Sequence, residues 1–368
     1  MKFSCHQRDL AEGLNSVQKA VSVKTTLPIL KGILVETDGD CLRLTGNDLN
    51  LGIEARIPAV VAEQGSVVVS SRIFGEIIRK LPETRLEFTV DESHQVSIDC
   101  DHSSFNLLGQ SGVEFPELPQ VEDADSFELS QELLRSMIRQ TIFATSQDEA
   151  RPILTGVLVE AENGEMSMVA IDGYRLALRK EAIDPAIRKR AVIPGKTLSE
   201  LSRLMTGENE DTVRISMTER HILFEINEIR VVSRLLEGEF IKYGQIIPKE
   251  KKSVIVADVL ELTNAIERAS LMAREGKNSS IRFTIRDDQM TIRSNVEIGS
   301  VREELDIQLE GEDIEIGFNP RYMLDALKVM ESEQVILEMT TPVSPCIMKP
   351  LDSATYLYLV LPVRMPNS

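Results

Sequence analysis

The stretch PILKGILVE at residues 28–36 returns as PILTGVLVE at residues 152–160, an interval of 124 residues (152 − 28 = 124). Moving Val157 on by the same interval leads to Ile281, which opens a third apolar run. A second set of landmarks keeps this spacing (198 − 74 = 124; 322 − 198 = 124), namely amphipathic segments that begin at Phe74, Leu198 and Tyr322. Because two landmarks per copy share one register, we predict that the chain contains three copies of one module.

The length of the chain is consistent with three domains. A chain of 368 residues exceeds what one core usually supports, whereas a module of about 124 residues is close to the commonest domain size. Stretches that contain proline separate the copies at residues 115–119 and 240–248. We therefore expect domains at residues 1–124, 125–248 and 249–368.

Each copy predicts the same order of elements. A short strand precedes an amphipathic helix, and then come a hairpin, a further strand, a second helix and two closing strands. Turn residues such as Asn163-Gly164 between apolar runs are typical of hairpins. The first helices are predicted from apolar or small residues at helical spacing, which are Leu10, Leu14, Val17 and Val21 in the first copy, Leu134, Ile138, Thr141 and Thr145 in the second, and Leu262, Ala265, Ile266 and Ala269 in the third. The predicted fold class is α+β, with three similar domains that each pack two helices against antiparallel sheets, and such a head-to-tail repeat forms either an open superhelix or a closed ring.

The overall charge limits the ways in which the chain could bind nucleic acid. The net charge is −18 and the isoelectric point is near 4.8. These values argue against a protein that holds nucleic acid by a basic surface over its whole body. They leave open a local basic lining inside an acidic body.

Cysteine use and hydropathy both favour the cytoplasm. The four cysteines are far apart and form no CxxC pair, which favours reduced and mostly buried thiols over a disulfide framework. The opening residues MKFSCH lack the apolar stretch of a signal peptide, and no run approaches the ~18 apolar residues of a membrane span. We expect a soluble cytoplasmic protein that has no membrane partner.

One motif is a candidate for nucleotide chemistry. Residues 194–197, PGKT, resemble the end of a phosphate-binding P-loop, but that motif needs a glycine five residues before Gly195, where the chain has Arg190. We favour a turn that starts the second helix of the second copy. Asp48 and Asp172 share one repeat position (172 − 48 = 124) and are expected to cap turns rather than to form a catalytic pair. With no metal-ligand spacing among the histidines, the sequence predicts no catalytic residue, no metal and no cofactor.

Basic residues recur on the polar sides of the predicted helices. Arg79 and Arg203 occupy one repeat position (203 − 79 = 124). Further basic residues on the helices are Lys19, Arg135, Arg139, Arg268 and Lys328. One interpretation is a solvated helix face in a charged protein. The other is a positive lining that contacts DNA phosphates without reading sequence, which would permit sliding.

Six short motifs, spread over the whole chain in a fixed order, carry a resemblance to a known family. They are MKF at 1–3, TLPIL at 26–30, LTGNDL at 44–49, AIDGYRL at 170–176, IGFN at 316–319 and LPVRM at 361–365. With these motifs the chain resembles the bacterial sliding clamps, the beta subunits of DNA polymerase III. The resemblance implies a head-to-tail homodimer of three-domain subunits that closes into a ring around double-stranded DNA, with helices lining the hole. It also implies a non-catalytic processivity factor that is loaded by a clamp loader and tethers replicative and repair polymerases.

The resemblance also implies a pocket for short linear peptides of those partners, between the second and third domains. One side of the pocket is expected to comprise Leu154, Gly173, Tyr174, Arg175 and Leu176, and the other Ile246, Tyr322, Val343, Leu359, Val360, Leu361, Pro362 and Val363, with Arg364 and Met365 at the rim. The sequence departs from the common family pattern at Ile171, Ile241 and Gln245, where threonine, proline and a basic residue are frequent. An exact peptide preference is therefore not predicted.

The resemblance further implies DNA contacts and a subunit contact. Lys24 and Lys196 match basic positions that touch duplex DNA in the family, and they join Arg79 and Arg203 as DNA-binding candidates. Phe105 and Leu107 of one chain would meet Leu271 and Met272 of the other. The alternative to a clamp is a peptide-binding tandem-repeat scaffold that never encircles DNA. An enzyme that uses the turn at Gly195 is a third and weaker hypothesis.

Overall fold

The computed structural model describes residues 1–22, 25–121, 126–205, 211–274 and 280–364, so that Lys24 and Met365 lie outside the described residues. The chain divides into two compact units. The first unit comprises Met1–Leu134 and Ser199–Leu235, and the second comprises Arg135–Leu198 and Leu236–Ser368. Within the part of the chain that is described, no helix is long and apolar enough to span a membrane.

The first copy contains two helices and ten strands in its described part, along with short 3-10 turns. In chain order they are β1 (Lys2–His6), α1 (Gln7–Val17), β2 (Gly32–Asp38), β3 (Cys41–Asn47), β4 (Leu51–Pro58), β5 (Val60–Glu63), β6 (Ser66–Ser70), α2 (Ser71–Lys80), β7 (Arg85–Val90), β8 (Gln95–Cys100), β9 (Ser103–Leu108) and β10 (Gln110–Ser111). The 3-10 turns are Gln18–Ala20, Pro28–Lys31 and Gly112–Glu114.

The second and third copies repeat this order. The second copy has β11 (Phe127–Ser130), α3 (Gln131–Thr141), β12 (Gly156–Glu162), β13 (Glu165–Ile171), β14 (Arg175–Ala182), β15 (Lys189–Pro194), α4 (Gly195–Leu204), β16 (Thr212–Met217), β17 (His221–Ile226) and β18 (Ile229–Arg234), with 3-10 turns at Ile142–Ala144, Pro152–Thr155 and Tyr243–Gln245. The third copy has β19 (Ser253–Asp258), α5 (Val259–Arg274), β20 (Ile281–Arg286), β21 (Gln289–Val296), β22 (Gly299–Asp306), β23 (Gln308–Gly311), β24 (Ile314–Phe318), α6 (Pro320–Leu327), β25 (Gln334–Met339), β26 (Cys346–Pro350) and β27 (Tyr356–Val360). The predicted α+β class is confirmed, since each copy provides two helices and antiparallel strands.

The ends of the first helices differ from the prediction. Leu10, Leu14 and Val17 of α1 are buried as expected. Val21 was a wrong assignment, because a 3-10 turn intervenes and the Val21 N–H bonds the carbonyl three residues back. Thr145 lies outside α3 for the same reason. A spacing of apolar residues does not distinguish a tightened last turn from one more turn of α-helix.

The strand-to-helix turn at the PGKT motif begins a helix, as predicted. Gly195 is the first residue of α4. The side chain of Thr197 is buried, at 2% exposure. A P-loop hydroxyl has to reach a bound cation, so the observed position fits a helix start rather than a nucleotide site.

A nine-stranded antiparallel sheet runs through the first unit. Its order is β10-β6-β2-β3-β4-β18-β17-β16-β11. The first copy contributes the five strands up to β4, and the second copy contributes the four strands from β18 onward. We call the pairing of β4 with β18 the first junction, in which Leu51 lies opposite Ser233 and Ile53 opposite Val231.

A second nine-stranded sheet runs through the second unit. Its order is β15-β12-β13-β14-β27-β26-β25-β19-β23, with four strands from the second copy and five from the third. We call the pairing of β14 with β27 the second junction, in which Arg175 lies opposite Val360 and Leu176 opposite Leu359. The sequence interval is retained here, because β4 and β14 begin 124 residues apart (175 − 51 = 124).

Two smaller sheets have open edges. The first unit contains a five-stranded sheet in the order β5-β1-β7-β8-β9, and the second unit contains a four-stranded sheet in the order β22-β21-β20-β24. Among the described strands, β9 pairs only with β8 and β22 pairs only with β21. The strand β22 begins 124 residues after β14 (299 − 175 = 124), so it is the third-copy counterpart of both junction strands.

Candidate functional site

An apolar cluster lies at the second junction. Ile171 pairs with Leu176 across β13 and β14, and Leu176 pairs with Leu359 across β14 and β27. Directly opposed residues on neighbouring strands point to one face, so these three side chains form a continuous row. The buried members of the cluster are Leu154, Leu158, Val169, Ile171, Leu176, Leu178, Val192, Phe240 and Leu359. Several predicted pocket residues are therefore brought together on one face of this sheet.

A tight loop ahead of β14 brings polar groups to the edge of this cluster. The Asp172 carboxylate accepts hydrogen bonds from the Tyr174 and Arg175 N–H groups, at 2.9 and 3.0 Å. Gly173 has φ +98°, a left-handed conformation that favours glycine. The Leu361 N–H donates to the Tyr174 carbonyl at 2.8 Å. The loop and the segment after β27 thus hold each other, and they leave Tyr174 60% and Leu361 37% exposed.

The turn-capping role predicted for the repeated aspartates is confirmed. Asp48 does in the first copy what Asp172 does in the second, because its Oδ1 accepts from the N–H groups of Asn50 and Leu51 at 3.0 and 2.8 Å. A short carboxylate side chain that bonds the backbone two and three residues on is a common way to close such a loop.

Arg175 is a buried cation that connects the loop to helix α6. Its Nε donates to Asp172 Oδ2 at 2.9 Å, its Nη1 to Asp325 Oδ2 at 2.6 Å and its Nη2 to the Phe143 carbonyl at 2.7 Å. The guanidinium carbon lies 4.5 Å from the centroid of the Tyr322 ring. A charge that is only 7% exposed needs such compensation, and here two carboxylates, a carbonyl and an aromatic face provide it.

The surroundings of Arg175 keep it charged. Burial alone would lower the pKa of Arg175, but the carboxylates of Asp325 and Asp172 outweigh burial and raise that pKa. The Tyr358 hydroxyl also donates to the Tyr322 carbonyl at 2.8 Å. Burial raises the pKa of Tyr358, so the hydroxyl remains a donor. Arg175 and Tyr358 together fix the position of Tyr322.

The residues predicted for the second side of the peptide pocket are aromatic and aliphatic. The rings of Tyr174 and Tyr322 stack, with centroids 6.3 Å apart and planes at 26°. Val343 is 74% exposed, and Val363 is held by a hydrogen bond from its N–H to the Gly317 carbonyl at 2.8 Å. The remaining predicted residues of this side are Val360, which is buried, Pro362, which is half-buried, and Arg364, which is exposed. An apolar floor beside a few polar groups is what a small binding cleft requires.

The three departures from the family pattern occupy different positions. Ile171 is 4% exposed and belongs to the floor. Ile241 and Ile246 are each 39% exposed, and Gln245 is exposed between them. Ile241, Gln245 and Ile246 lie in the segment that follows Phe240, and Phe240 is buried in the apolar cluster.

Tyr243 lies in the same segment and has two environments. Its ring packs against the apolar cluster, whereas its hydroxyl donates to Glu160 Oε2 at 2.9 Å. It also lines an open groove of about 630 Å³, and most of the other residues of this groove are charged or polar, including Glu162, Glu165, Ser167, Arg188, Lys189 and Arg190. Burial raises the pKa of the Tyr243 hydroxyl, which keeps it protonated as a donor.

Sequence reasoning missed Asp325, Phe143, Tyr358, Phe240 and Tyr243. Two signals could have found some of them. Asp325 follows Tyr322 by three residues, a spacing that puts both side chains on one face of a helix. The segment EFIKYGQI at 239–246 matches EFPELPQV at 114–121 (239 − 114 = 125) and so marks Phe240 and Tyr243 as repeat positions.

The basic candidates are mostly exposed, and several have acidic partners. Arg79 donates to Gln18 Oε1 at 2.9 Å, and Arg203 pairs with Glu200 at 2.8 Å. Lys196 is exposed in the first turn of α4, the helix that also carries Arg203. Other basic positions on helices pair with carboxylates, namely Arg139 with Glu331, Arg268 with Glu303 and Lys328 with Glu267. The charge of these helix faces is thus lower than a count of basic residues suggests.

The predicted subunit-contact residues lie beside the two open sheet edges. Phe105, at 37% exposure, and Leu107, which is half-buried, belong to β9 in the first unit. Leu271, at 57% exposure, and Met272 belong to α5 in the second unit. A Cβ atom at Gly299, the first residue of β22, would lie 3.7 Å from Met272 Sδ. Met272 therefore adjoins the start of the open edge.

Family comparisons match nearly the whole chain. Three family models match in succession, described as the N-terminal, central and C-terminal domains of the DNA polymerase III beta subunit, over residues 1–119, 128–242 and 244–364. The beta sliding clamp of Bacillus subtilis is 39% identical over 377 residues, covering 99% of this chain and 100% of the relative. The beta sliding clamp of Halalkalibacterium halodurans is 39% identical over 379 residues, with coverage of 99% and 100%.

Solved structures have the same fold. The crystal structure of the DNA polymerase sliding clamp from Bacillus subtilis has a TM-score of 0.97 at 38% identity and covers 100% of both chains. The beta chain of DNA polymerase III from Streptococcus pneumoniae has a TM-score of 0.96 at 30% identity, covering 99% of this chain and 100% of that one. A sliding clamp from Pseudomonas aeruginosa bound to griselimycin has a TM-score of 0.93 at 29% identity, with coverage of 99% and 100%.

Proposed function

The chain belongs to the DNA polymerase III beta subunit family of sliding clamps, and we propose that two copies of it close head to tail into a ring around duplex DNA. Sliding clamps of this family are non-catalytic processivity factors, and DNA sliding clamp is accordingly the function of this chain. We further propose that the ring acts in the cytoplasm, with a clamp loader and DNA polymerases as partners.

The proposal of a ring rests on the number of strands that meet at each junction. Each of the two junctions within the chain joins five strands of one sheet half to four strands of another. The two sheets with open edges have five and four strands, and β22 is the repeat counterpart of β4 and β14. Pairing β9 of one chain with β22 of a second would build a third nine-stranded sheet. It would also cover two edges that would otherwise be open to unwanted pairing.

The first junction supplies a register for this pairing. The strands β9 and β18 each follow a two-residue turn, so Ser103 corresponds to Ile229 (229 − 103 = 126). At the first junction Leu51 lies opposite Ser233. The residue of β9 that corresponds to Ser233 is Leu107 (233 − 126 = 107), and the residue of β22 that corresponds to Leu51, two repeats on, is Gly299 (51 + 248 = 299). The transferred register therefore places Leu107 opposite Gly299. The absence of a side chain at Gly299 leaves room for Leu107 to reach Met272. The proposed pairing thus accounts for the predicted contact residues.

The same register explains two exposed aliphatic side chains. Leu108 is 83% exposed and Ile298 is 73% exposed. They follow and precede Leu107 and Gly299, and an antiparallel pairing places them opposite each other. Because each chain has one β9 and one β22, a heterologous contact of this kind closes after two copies when the rotation per chain is half a turn.

The dimer can be tested at one edge strand with a matched control at the other edge of the same sheet. Leu107→Glu would bury a charge at the contact, and we expect the dissociation constant of the dimer to rise roughly 100-fold. Val60→Glu makes the same change on β5, where Val60 is 62% exposed, and should leave the dimer intact. Sedimentation at low protein concentration measures both. A Leu107→Glu chain that stays dimeric would overturn the proposed edge pairing.

We propose that exposed basic groups on the helices contact DNA weakly. Lys196 and Arg203 lie seven residues apart on α4, a spacing that puts them on one helix face, and Arg79 occupies the corresponding repeat position on α2. Weak phosphate contacts hold the duplex without reading its sequence, and strong ones would slow sliding. The acidic body then limits binding to the enclosed duplex.

Retention on circular DNA tests the clamp against a scaffold that never encircles DNA. The protein would be loaded by its clamp loader with ATP onto a nicked plasmid, which is then linearised. Retention on the circle and loss after cutting would establish topological linkage, whereas equal loss from both would favour the scaffold. Lys196→Glu with Arg79→Glu should lower loading, and Lys252→Glu, which lies outside the helices, should not.

We further propose that the cleft of the second unit binds short linear peptides of polymerases and other partners. Its floor is aliphatic, which favours peptides with apolar side chains, and Tyr174, Leu361 and Val343 at its rim are exposed. A labelled heptapeptide with two leucines and a terminal phenylalanine would serve as the probe. We expect the wild-type chain to bind the peptide saturably and Leu176→Asp to abolish binding. The Val60→Asp chain should bind like the wild type.

A further inference from the structure

The first and second junctions differ in how the segment that follows their strands packs on them. The segment EFPELPQV at 114–121 comes after the strands of the first copy, and EFIKYGQI at 239–246 comes after those of the second. Val121 is 8% exposed and packs with Leu223 and Val232 of the first junction. Its counterpart Ile246 is 39% exposed. Val121 is therefore packed on the first junction, whereas the second segment packs on its apolar cluster through Phe240, Tyr243 and Ile247 and leaves Ile246 exposed.

Two contacts hold the first segment in its covering position. Leu118 lies over Gly52, since a Cβ atom at Gly52 would be 2.3 Å from Leu118 Cδ2. The Asn47 side-chain amide donates to the Pro116 carbonyl at 3.3 Å. Together with the packing of Val121, these contacts hold the first segment against its junction.

Both contacts are replaced at the second junction. Leu176 stands at the position of Gly52, and Ile171 stands at the position of Asn47 (176 − 52 = 124; 171 − 47 = 124). Leu176 has a side chain where Gly52 leaves room for Leu118, and the side chain of Ile171 has no hydrogen-bond donor for the segment. The counterpart of Leu118 is Tyr243 (243 − 118 = 125), whose hydroxyl bonds Glu160 on β12.

We propose that Tyr243 is a positioning residue, whose hydrogen bond to Glu160 fixes residues 241–246 and so places the exposed Ile241 and Ile246 at the rim of the peptide cleft. The inference rests on the peptide cleft proposed above. The other carboxylate oxygen of Glu160 accepts from Arg190 Nε at 2.9 Å, so the ion pair and the Tyr243 hydrogen bond use separate oxygens. The turn from Ile241 to Ile246 is closed by backbone bonds at Tyr243, so Tyr243 determines where both exposed isoleucines lie.

Four variants test the hydrogen bond through peptide affinity. Tyr243→Phe removes only the hydroxyl and should weaken binding of the leucine-phenylalanine heptapeptide about fivefold, the size expected for one lost hydrogen bond. Glu160→Ala should do the same. Glu160→Gln keeps an acceptor and should restore affinity to within about twofold of wild type. Arg190→Gln removes the ion pair to the same carboxylate but leaves the Tyr243 bond, so it serves as the matched control and should stay near wild type.

A fluorescence measurement tests the position of the segment without any peptide. The chain contains no tryptophan, so Ile246→Trp introduces a single reporter. We expect its emission maximum to shift when Tyr243→Phe is added, because the turn that carries residue 246 would no longer be held at Glu160. Adding Arg190→Gln instead should leave the emission unchanged.

The two measurements separate this inference from the proposed function. A wild-type chain that fails to bind the heptapeptide would count against the cleft, and the tryptophan emission would still decide the role of Tyr243. Unchanged emission in the Tyr243→Phe chain would overturn the positioning role, whatever the affinities. Reduced affinity in Glu160→Gln equal to that of Glu160→Ala would also overturn it, because the acceptor alone would then not matter.

Discussion

The first and second junctions are built from the same strands of a repeated module, but they differ in the residues just after the capping aspartate. After Asp48 the loop continues with Leu49, held at φ +74°, and then with the buried apolar residue Leu51. After Asp172 it continues with Gly173 and then with Arg175, which reaches Asp325 on α6. The backbone is retained and a few side chains change. The second junction, unlike the first, is therefore a candidate binding site.

The difference also shows how a repeated fold can gain a specific site. The first junction is closed by its own segment, which uses Leu118 on Gly52 and Asn47 on Pro116. The second junction replaces the glycine and the asparagine by Leu176 and Ile171, so that the corresponding contacts are not made. The two junctions thus differ both on the sheet and in the segment that follows its strands.

The largest effect is expected from removing the charged group that distinguishes the second junction. Arg175→Ala would leave Asp172 and Asp325 without their shared partner, and we expect a loss of about 3–5 kcal/mol of unfolding free energy. Arg190→Ala removes an arginine whose side chain is 61% exposed and which pairs with Glu160, and it should cost less than about 1 kcal/mol. Urea unfolding compares the two. Equal losses would show that burial of Arg175 is energetically unimportant.

A smaller effect is expected from adding a methyl group to the covered junction. Gly52→Ala puts a Cβ atom where Leu118 now packs, and overpacking of this kind should cost about 1–3 kcal/mol. The double variant Gly52→Ala with Leu118→Ala should recover part of that loss, as a double-mutant cycle would measure. Additive losses would mean that the segment does not press on Gly52.

A substitution in the loop at the second junction should lower the unfolding free energy through backbone strain alone. Gly173→Ala meets only an ordinary contact with Arg151, but its left-handed φ should cost roughly 1–2 kcal/mol. Gly244→Ala serves as the control, since nothing lies within 4 Å of its Cβ and its φ is not in the left-handed region. The control should stay near wild type in thermal unfolding. A loss in Gly244→Ala as large as in Gly173→Ala would remove strain as the explanation.

The smallest effect is expected from pH. Burial raises the pKa of Tyr243, so its protonated hydroxyl contributes fully below the free tyrosine pKa of about 10 and is lost as the pH rises through the higher folded value. The contribution of Tyr243 to peptide affinity should therefore stay constant between about pH 6 and about pH 9. Titrations of the wild type and of Tyr243→Phe would run parallel over that range. Curves that diverge below about pH 9 would indicate another titrating group at the anchor.

Much of the fold could be predicted because the repeat is visible in local patterns. The buried residues Leu10, Leu14 and Val17 keep helical spacing, and the aspartates at 48 and 172 cap their loops as expected. Ends of elements were less predictable, as Val21 shows, because a final 3-10 turn depends on one hydrogen bond. The domain boundaries at 124 and 248 stay predictions.

The candidate site was predictable only where a motif marked it. The residues from Leu154 to Leu361 were named through family motifs, whereas Asp325 and Tyr243 carry no such mark. Their roles depend on long-range contacts, since Asp325 meets Arg175 across 150 residues and Tyr243 meets Glu160 across 83. Spacing along the chain does not encode which distant strand or helix a side chain reaches.

The amino-acid sequence by itself determined the threefold repeat, the α+β class, the capped loops and the family, because these depend on local periodicity and on short motifs. Only the tertiary structure decided that β4 joins β18 and β14 joins β27, that β9 and β22 keep open edges among the described strands, and that Val121 is packed at the first junction while its counterpart Ile246 is exposed. The physical reason is that strand pairing and side-chain packing bring together residues far apart in the chain. Their fit depends on volumes such as that of Leu118 over Gly52, which no local pattern records.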